Sequence, residues 1–450
     1  MLRLAVPLMV AEMGWMLMNF VDLAMIGRVG PQAIASVSIG SAVFYVFAIV
    51  AEGILLGLDA IVSQQYGAGE MEDCHRSLFA GLQLAAPLGL ALVGVIWVSV
   101  PLLPHFGIET HVAPQVGPFL HAMSWGLPPL LAYFAVRRYL QAIHLVDIIP
   151  FTLISANLIN FAGNWVLIYG HMGFPAMGAE GSGWSTTISR FYMVAVLAGY
   201  VMWQNRKRGF HLGRYAWELY TGRIWEIVKL GAPAAGQIAM EMGVFSASTL
   251  IAGRLGAVAV SGHQIALSLA SFTFMVPLGV SSATAVRVGH ALGRGDAEAA
   301  NASGWTGVAV SATFMSCAAL AFWLIPRPLV AIFTTDPAVM KVAISLLAIA
   351  AIFQFFDGVH VTSIGALRGS GDTHTAVITD FVGWWIVGLP LGWYLCFEQG
   401  MGVRGLWAGL CVGLIAIGIA LATAWKLRMT RMRQTENQKI GESEKVKSHG

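Results

Sequence analysis

Two short glycine motifs of this chain occur twice, and both pairs are separated by the same 226 residues. Residues 27–30 read Gly-Arg-Val-Gly and residues 253–256 read Gly-Arg-Leu-Gly, while residues 67–70 (Gly-Ala-Gly-Glu) are matched by 293–296 (Gly-Arg-Gly-Asp). The offset holds without a gap from Leu4 and Leu230 through to Ser77 and Ser303. We interpret the chain as two copies of one unit, so its fold must be built from a repeat.

Each copy contains six long apolar stretches. Only 11% of the residues are charged, whereas soluble domains carry about 25%. A membrane-spanning helix needs roughly 20 apolar residues. Twelve stretches reach that length, near residues 4–27, 34–65, 77–103, 116–136, 147–169, 180–203, 227–252, 258–286, 303–325, 340–366, 374–396 and 403–425. Because six is even, the sequence predicts an all-α integral membrane protein with twelve transmembrane helices in two parallel six-helix lobes, related by a pseudo-two-fold axis along the membrane normal.

The basic residues indicate the orientation. With the N-terminus inside, 20 of the 26 Lys and Arg residues fall on the cytoplasmic side and its adjoining helix ends. This bias predicts a multi-pass protein of a bacterial-type cytoplasmic (inner) membrane with both termini in the cytoplasm. The expected divisions are an N-lobe at 1–204, a cytoplasmic linker at 205–226, a C-lobe at 227–428 and a disordered cytoplasmic tail at 429–450.

The linker is basic and polar. It is either a solvated segment or includes an amphipathic helix on the inner leaflet, whose apolar face would combine Trp217, Tyr220 and Ile224 at spacings of 3 and 4. The tail is polar with mixed charges, a composition typical of disorder.

The first predicted helix carries one polar stripe. Glu12, Trp15, Asn19 and Asp22 are spaced 3, 4 and 3 residues apart, which places them within about 80° of arc. An ionisable group in hydrocarbon costs at least about 2.5–3.5 kcal/mol, so such groups should face protein, water or substrate. We expect Asp22, on the outer half of the helix, to bind a cation, with Asn19 and Trp15 beside it. An aromatic ring next to carboxylates suits an organic cation, although plain packing explains Trp15 equally well.

Two helices of the second copy carry further acids. Gln237 and Glu241 share a face of helix 7, while Gln354 and Asp357 lie one turn apart on helix 10, followed by His360. Arg190 is the one base that clearly falls within a span, so most buried carboxylates would lack a fixed counter-ion. Such groups need a mobile cation, which could be a proton, Na⁺ or a cationic substrate.

Other polar residues of the spans have simpler interpretations. We expect Glu12, Glu52 and Asp59, near the inner ends of their spans, to be hydrogen-bonded between helices or to reach water. His263 and His360 are expected to be packed or solvated. The Asn157, Asn160 and Asn164 stripe would join helices. Pro7 and Pro233 occupy equivalent places in the first helix of each copy and are candidate hinges, unless each is simply tolerated in a first turn.

The sequence contains none of the motifs of common enzymes. There is no phosphate loop, nucleotide fingerprint, HExxH or nucleophile elbow, and the four cysteines have no ligand spacing. We therefore expect a transporter with no cofactor, not an enzyme, and no nucleic-acid partner.

Four motifs of the chain are distinctive: Asp22 with residues 25–30 (Met-Ile-Gly-Arg-Val-Gly), residues 62–69 (Val-Ser-Gln-Gln-Tyr-Gly-Ala-Gly), 263–266 (His-Gln-Ile-Ala) and 366–373 (Ala-Leu-Arg-Gly-Ser-Gly-Asp-Thr). Together with the twelve-span, two-lobe plan, they resemble the multidrug and toxic compound extrusion (MATE) family. The resemblance covers about residues 1–428, and Glu241 with Asp357 resembles the NorM-like branch. The chain departs from the pattern at 139–142, where Tyr-Leu-Gln-Ala replaces a Leu-Arg-Gly motif, and in its extra acids Glu12 and Glu52.

The resemblance implies antiport that drives multidrug efflux: Na⁺ or H⁺ enters and displaces a small organic cation from a cleft between the lobes. Glu241 and Asp357 would form the C-lobe cation site, with Na⁺ as one of its ions, and Asp22 would be the N-lobe acid. Such a protein contacts membrane lipid and is expected to act as a monomer. The alternatives are a flippase or exporter of lipid-linked or other metabolites, an intramembrane enzyme and a channel. A pyrophosphate-bearing cargo would need a basic cleft, whereas the candidate residues here are acidic.

Overall fold

The computed structural model describes residues 1–106, 113–207 and 212–448, and the longer regular elements in these ranges are all helices. The first copy contains α1 (Leu2–Ile26), α2 (Pro31–Leu55), α3 (Gly57–Gly67), α4 (Met71–Ser99), α5 (Ala113–Ser124), α6 (Leu127–Ala142), α7 (Ile148–Tyr169) and α8 (Ala179–Lys207). The second contains α9 (Thr221–Arg254), α10 (Ala257–Gly293), α11 (Ala297–Leu324), α12 (Pro326–Ala331), α13 (Pro337–Gly369), α14 (His374–Asp380), α15 (Leu389–Trp393) and α16 (Val403–Ser448). π-Helical turns continue α14 into α15 and beyond, to Glu398.

Ten helical segments of the described ranges are long and apolar enough to cross a membrane. Nine are continuous, and the tenth is the pair α5 and α6, which bends by 41° between Ser124 and Leu127. The helices α8 and α9 are also long enough to cross a membrane, at 29 and 34 residues. The predicted all-helical membrane architecture is thus confirmed.

The repeated glycine motifs form the loops between helices. Gly30 and Gly256 precede α2 and α10 with φ angles of 140° and 100°, and Gly69 and Gly295 follow α3 and α10 with φ angles of 83° and 73°. Residues with a Cβ atom rarely adopt these angles. The two copies therefore break their helices at the same places for the same backbone reason.

The helices form two compact units whose boundaries do not follow chain order. One unit comprises Met1–Met9, Ser63–Gly69 and Gly236–Gly450, and the other comprises Val10–Val62 and Glu70–Ala235. Each unit thus includes the first turns of a helix whose remainder belongs to the other unit. The two changes, after Met9 in α1 and after Ala235 in α9, are separated by the 226 residues of the repeat.

Glycines make room for these exchanged segments. In one unit, a Cβ atom at Gly53 of α2 would overlap Ala235 of α9, and in the other, a Cβ at Gly279 of α10 would overlap Met9 of α1. Gly53 and Gly279 are themselves repeat equivalents, as are Ala235 and Met9. In each copy, therefore, a glycine at the same repeat position allows the first helix of the other copy to pack closely near its start.

The linker differs from the amphipathic-helix alternative. α8 ends at Lys207, residues 208–211 lie outside the described ranges, and α9 begins only at Thr221. Trp217 is 93% exposed whereas Tyr220 is buried, so these residues do not share a face. The backbone nitrogen of Tyr220 donates to Gln83 of α4 at 3.2 Å, which fastens the segment to its unit by hydrogen bonds.

The tail also differs from the expectation. α16 continues as a helix to Ser448, where the sequence predicted disorder from residue 429 onward. The stretch 429–448 contains no proline and is rich in Lys, Arg, Glu, Gln and Met, which have high helix propensity. The polar composition of residues 429–448 is unfavourable for packing in a core, but it allows the preceding helix to continue.

Candidate functional site: two buried carboxylate clusters

Asp22 of α1 is held by neutral donors from two neighbouring helices. Asn164 of α7 donates to Oδ1 at 2.6 Å, and Thr186 of α8 donates to Oδ2 at 3.2 Å. The same Asn164 amide also donates to Asn160 at 3.1 Å. We name Asp22, Asn160, Asn164 and Thr186 the Asp22 cluster. These neutral donors hydrogen-bond the carboxylate of Asp22 without neutralising its charge.

A base near Asp22 is held by other groups. Arg190 of α8 lies within electrostatic range of Asp22, but its guanidinium stacks over the Phe44 ring at 4.4 Å. Tyr45, the next residue of α2, donates to Asn19 Oδ1 at 2.9 Å. Tyr45 lies within electrostatic range of Asp22, so Asn19 lies near the Asp22 cluster as a neutral hydrogen-bonding group.

Trp15 lies among aromatic rings of α6. Its ring stacks on Tyr133 with the centroids 6.4 Å apart, and it contacts Phe134 at 5.8 Å. The residues of the predicted polar stripe lie on one helix, α1, as expected, but their side chains contact different helices. Trp15 fills an aromatic layer at α6, while Asp22 reaches α7 and α8.

A second cluster joins α9, α13 and α14. Gln237 donates from Nε2 to Glu241 Oε2 at 3.0 Å and to Asp380 Oδ2 at 2.7 Å. His360 Nε2 lies 3.0 Å from Asp380 Oδ1, and its Nδ1 lies 3.8 Å from Asp357 Oδ1. We name these five residues the Glu241 cluster. It holds three carboxylates around one imidazole, and with all three ionised it carries excess negative charge in either state of the histidine.

Gln354 is not part of this cluster. Its Nε2 donates to Thr273 Oγ1 of α10, and its Oε1 is buried without a partner among the described residues. Although Gln354 and Asp357 are one turn apart on α13, their side chains have different partners. The structure thus brings Gln237, Glu241 and Asp357 together and places Gln354 with α10.

Both candidate hinge prolines lie inside unbroken helices. Pro7 is in α1 and Pro233 is in α9. The boundary between the compact units falls two residues after each of them. A proline removes one backbone hydrogen bond from a helix, so both helices are weakened close to where their packing partners change.

More basic side chains are buried than the sequence predicted. Arg137 and Arg138 of α6 are 2% and 5% exposed, so the expectation that Arg190 is the one base within a span is wrong. Arg137 pairs with Glu12, and Arg138 lies 3.7 Å from Glu52 and 3.5 Å from Asp59. These two bases followed directly on the predicted end of a span at residue 136. The drop in hydropathy marked a helix end, whereas α6 continues to Ala142.

Two residues of the Glu241 cluster were missed or undervalued. Asp380 is fully buried and lies inside the predicted span at 374–396, but it was not named as a candidate residue. His360 was expected to be simply packed or solvated, and it lies between two carboxylates. The available signal was the spacing: Asp357 and His360 are one turn apart on a helix, as are Gln237 and Glu241.

Other polar residues have structural partners. His263 is fully buried, accepts from Trp407 Nε1 at Nδ1 and contacts Thr249 Oγ1, each at 3.0 Å. Asn157 donates to the Gly14 carbonyl oxygen at 3.0 Å, which joins α7 to α1. Within the described ranges, no group of three or more His, Cys, Asp or Glu side chains could hold a metal ion.

Comparison with known proteins defines the class of this molecule. The MatE family model matches residues 7–166 and again residues 233–394, and the two matches begin 226 residues apart, at Pro7 and Pro233. The chain is thus a membrane transporter built from two matching halves, and not an enzyme. It belongs to the MatE family.

Relatives and solved structures cover almost the whole chain. It is 36% identical over 445 residues to a probable multidrug resistance protein NorM of Xanthomonas axonopodis pv. citri, with 96% of this chain and 94% of the relative covered. A NorM of the same description from Mesorhizobium japonicum is 34% identical, with 95% and 93% covered.

Among solved structures, a MATE protein in a bent conformation matches with a TM-score of 0.89 at 16% identity, covering 97% of this chain and 96% of that one. A eukaryotic MATE transporter, AtDTX14, matches at 0.84 and 20% identity, covering 97% and 98%. These structural matches confirm the two-lobed MATE fold that the sequence resemblance implied.

Proposed function

We propose that this protein is a secondary active antiporter that exports organic cations, including drugs, in exchange for Na⁺ or H⁺. The observation that carries the proposal is the excess of buried carboxylates in the Asp22 and Glu241 clusters. The relatives described as multidrug resistance proteins NorM support the same substrate class. A pyrophosphate-bearing cargo, which a lipid flippase would carry, is disfavoured by this negative charge.

The chemistry is a competition for negative charge. A proton or Na⁺ that binds Asp22, or Glu241 with Asp357, neutralises the carboxylate to which a cationic drug is attracted. Carboxylate and amide oxygens are suitable ligands for a hard cation. Asn19 and Gln237 would supply neutral hydrogen-bonding groups beside the acids. Trp15 and Gln354 have other partners, so the proposal gives them no direct contact with the coupling ion.

Alternating access requires the two lobes to change orientation during transport. We assign the bending points to α1 near Pro7 and to α9 near Pro233, because packing partners change two residues beyond each proline. In this proposal the protein works in a bacterial-type inner membrane with both termini in the cytoplasm, which would place the drug-release side opposite the termini.

The test is drug efflux from proteoliposomes that contain only this protein. An imposed Na⁺ gradient and an imposed pH gradient are applied separately, with a fluorescent organic cation as substrate. Efflux driven by at least one gradient supports antiport and identifies the coupling ion. Absence of efflux under both gradients, in protein that remains folded, would overturn the proposal.

A further inference from the structure

A further charge cluster lies in the unit that contains Asp22, and the proposed transport reaction does not use it. It consists of Glu12 of α1, Glu52 of α2, Asp59 of α3, and Arg137 and Arg138 of α6. We name it the arginine cluster. Arg137 contacts Glu12, while the Arg138 guanidinium lies 3.7 Å from Glu52 Oε1 and 3.5 Å from Asp59 Oδ2.

The charges of this cluster do not balance. Three carboxylates face two guanidiniums, and arginine stays protonated in proteins, so the fully ionised cluster would carry one net negative charge. An uncompensated charge in a buried site is strongly unfavourable. One guanidinium, that of Arg138, is shared by the carboxylates of Glu52 and Asp59, and the cluster therefore has room for one more positive charge.

A fully buried hydroxyl group near these carboxylates is a second indication of a proton-binding site. Tyr133 of α6 is 0% exposed, and its hydroxyl has no hydrogen-bond partner among the described residues. It lies within electrostatic range of four members of the cluster: Glu12, Glu52, Arg137 and Arg138. A phenol can both donate and accept a hydrogen bond, so it can serve a carboxylate before and after that carboxylate takes up a proton.

Where α9 comes closest to Gly53, Ile54 and Gly57 of α2 and α3, its residues are Ile227, Gly231 and Ala235, none of which titrates. A metal cation would meet guanidinium groups at each of the three carboxylates. A proton avoids this repulsion, because it forms a covalent O–H bond with a single oxygen and leaves the arginine contacts of the other acids in place.

We propose that the arginine cluster is a proton-binding site separate from the Asp22 and Glu241 clusters, with Glu52 as the group that exchanges the proton. Glu52 has the most exposed side chain of the three acids, at 30%, compared with 13% for Glu12 and 1% for Asp59. A proton from water bonds to a Glu52 carboxylate oxygen, and Arg138 then pairs with Asp59 alone. Loss of the proton restores the shared pair.

This site belongs to the first copy only. The repeat equivalents of Glu12, Glu52 and Asp59 are Ile238, Leu278 and Ala285, which do not ionise. Glu12 lies on the same stripe of α1 as Asp22, ten residues or roughly 15 Å nearer the start of the helix. In a proton-coupled cycle, a proton that leaves Asp22 toward the start of α1 would next reach the arginine cluster. This role in transport rests on the proposed function.

The test is an infrared pH titration of the purified full-length protein. It follows the C=O stretching band of protonated carboxyl groups in poorly solvated surroundings. The wild-type-minus-Glu52→Gln difference should show one such titrating band. The matched control is Glu226→Gln, which removes an exposed glutamate of α9 and should alter only the absorption of solvated carboxyls. An identical buried-carboxyl titration in wild type and Glu52→Gln would overturn the proposal.

A second variant covers the case in which Glu52→Gln does not fold. Glu12→Gln leaves two carboxylates for two guanidiniums, so the balanced cluster should no longer take up a proton and the same band should disappear. Persistence of the band in Glu12→Gln would contradict the charge count. A Glu52 band without gradient-driven efflux would overturn only the proposed antiport, whereas efflux without this band would overturn only the arginine-cluster site.

Discussion

The two clusters assigned to cation binding solve the problem of a buried carboxylate in different ways. The Asp22 cluster surrounds one acid with amide and hydroxyl donors, and a base near Asp22 stacks on an aromatic ring. The Glu241 cluster gathers three acids around His360 and Gln237. The first can change its charge by one on binding one cation. The second keeps negative charge after one cation has bound, so the lobes should differ in how strongly they hold a cationic drug.

Removing one acid from each cluster is expected to have the largest effect. Asp22→Asn eliminates all negative charge from its cluster, whereas Glu241→Gln leaves Asp357 and Asp380. Loss of a desolvated charge partner costs about 2–5 kcal/mol, which is more than about ten-fold in affinity. We expect Asp22→Asn to abolish gradient-driven efflux in proteoliposomes and Glu241→Gln to retain weak transport.

The matched controls for this comparison are the exposed residues Asp147 and Glu226. Asp147→Asn and Glu226→Gln remove the same charges outside the clusters and should transport like wild type. Equal residual efflux in Asp22→Asn and Glu241→Gln would contradict the difference between the lobes. Normal transport in both variants would refute the assignment of these acids.

The sequence predicted which residues share a helix face but not which helices those faces meet. Periodicity placed Asp22 and Trp15 on one stripe, and it also grouped Gln354 with Asp357. In the structure Asp22 meets α7 and α8, Trp15 meets α6, and Gln354 turns to α10. A stripe about 80° wide spans more than one neighbouring helix, so partners within it depend on tertiary packing.

Charge pairing is the second reason for the differences. Hydropathy ends a span where arginines begin, and this placed Arg137 and Arg138 in water. Opposite charges on α1, α2 and α3 allow both to be buried. The duplication and the apolar spans were readable from one chain because they depend on local sequence and composition. The ion pairs bring together residues that are 79 to 125 positions apart, and a single sequence carries no local signal for such contacts.

Replacing His360 tests the electrostatic difference between the clusters through stability. The imidazole lies between Asp380 and Asp357, and removing one partner of a buried charged pair costs about 3–5 kcal/mol. His360→Leu should therefore lower the thermal unfolding midpoint in detergent clearly. His360→Gln keeps a donor toward Asp380 and should lower it less. His263→Leu is a comparison outside the acid cluster, since the hydrogen bonds of His263 within the described ranges are to the neutral groups of Thr249 and Trp407. A midpoint for His360→Leu no lower than that of His263→Leu would contradict the electrostatic role.

The smallest effect should separate two glutamines that the sequence treated alike. Gln237 donates to two carboxylates, and hydrogen bonds to charged groups contribute about 1.5–3 kcal/mol each. Gln354 donates to the neutral hydroxyl of Thr273, where a bond contributes about 0.5–1.5 kcal/mol. Gln237→Leu should weaken drug binding by more than about ten-fold, while Gln354→Leu should weaken it by less than about ten-fold. Equilibrium binding of a fluorescent organic cation to the purified variants measures both affinities, and the two substitutions control for each other because they introduce the same side chain.

A larger loss of affinity in Gln354→Leu than in Gln237→Leu would place the drug nearer to α10 than to the three carboxylates. The Glu241 cluster would then bind only the coupling ion.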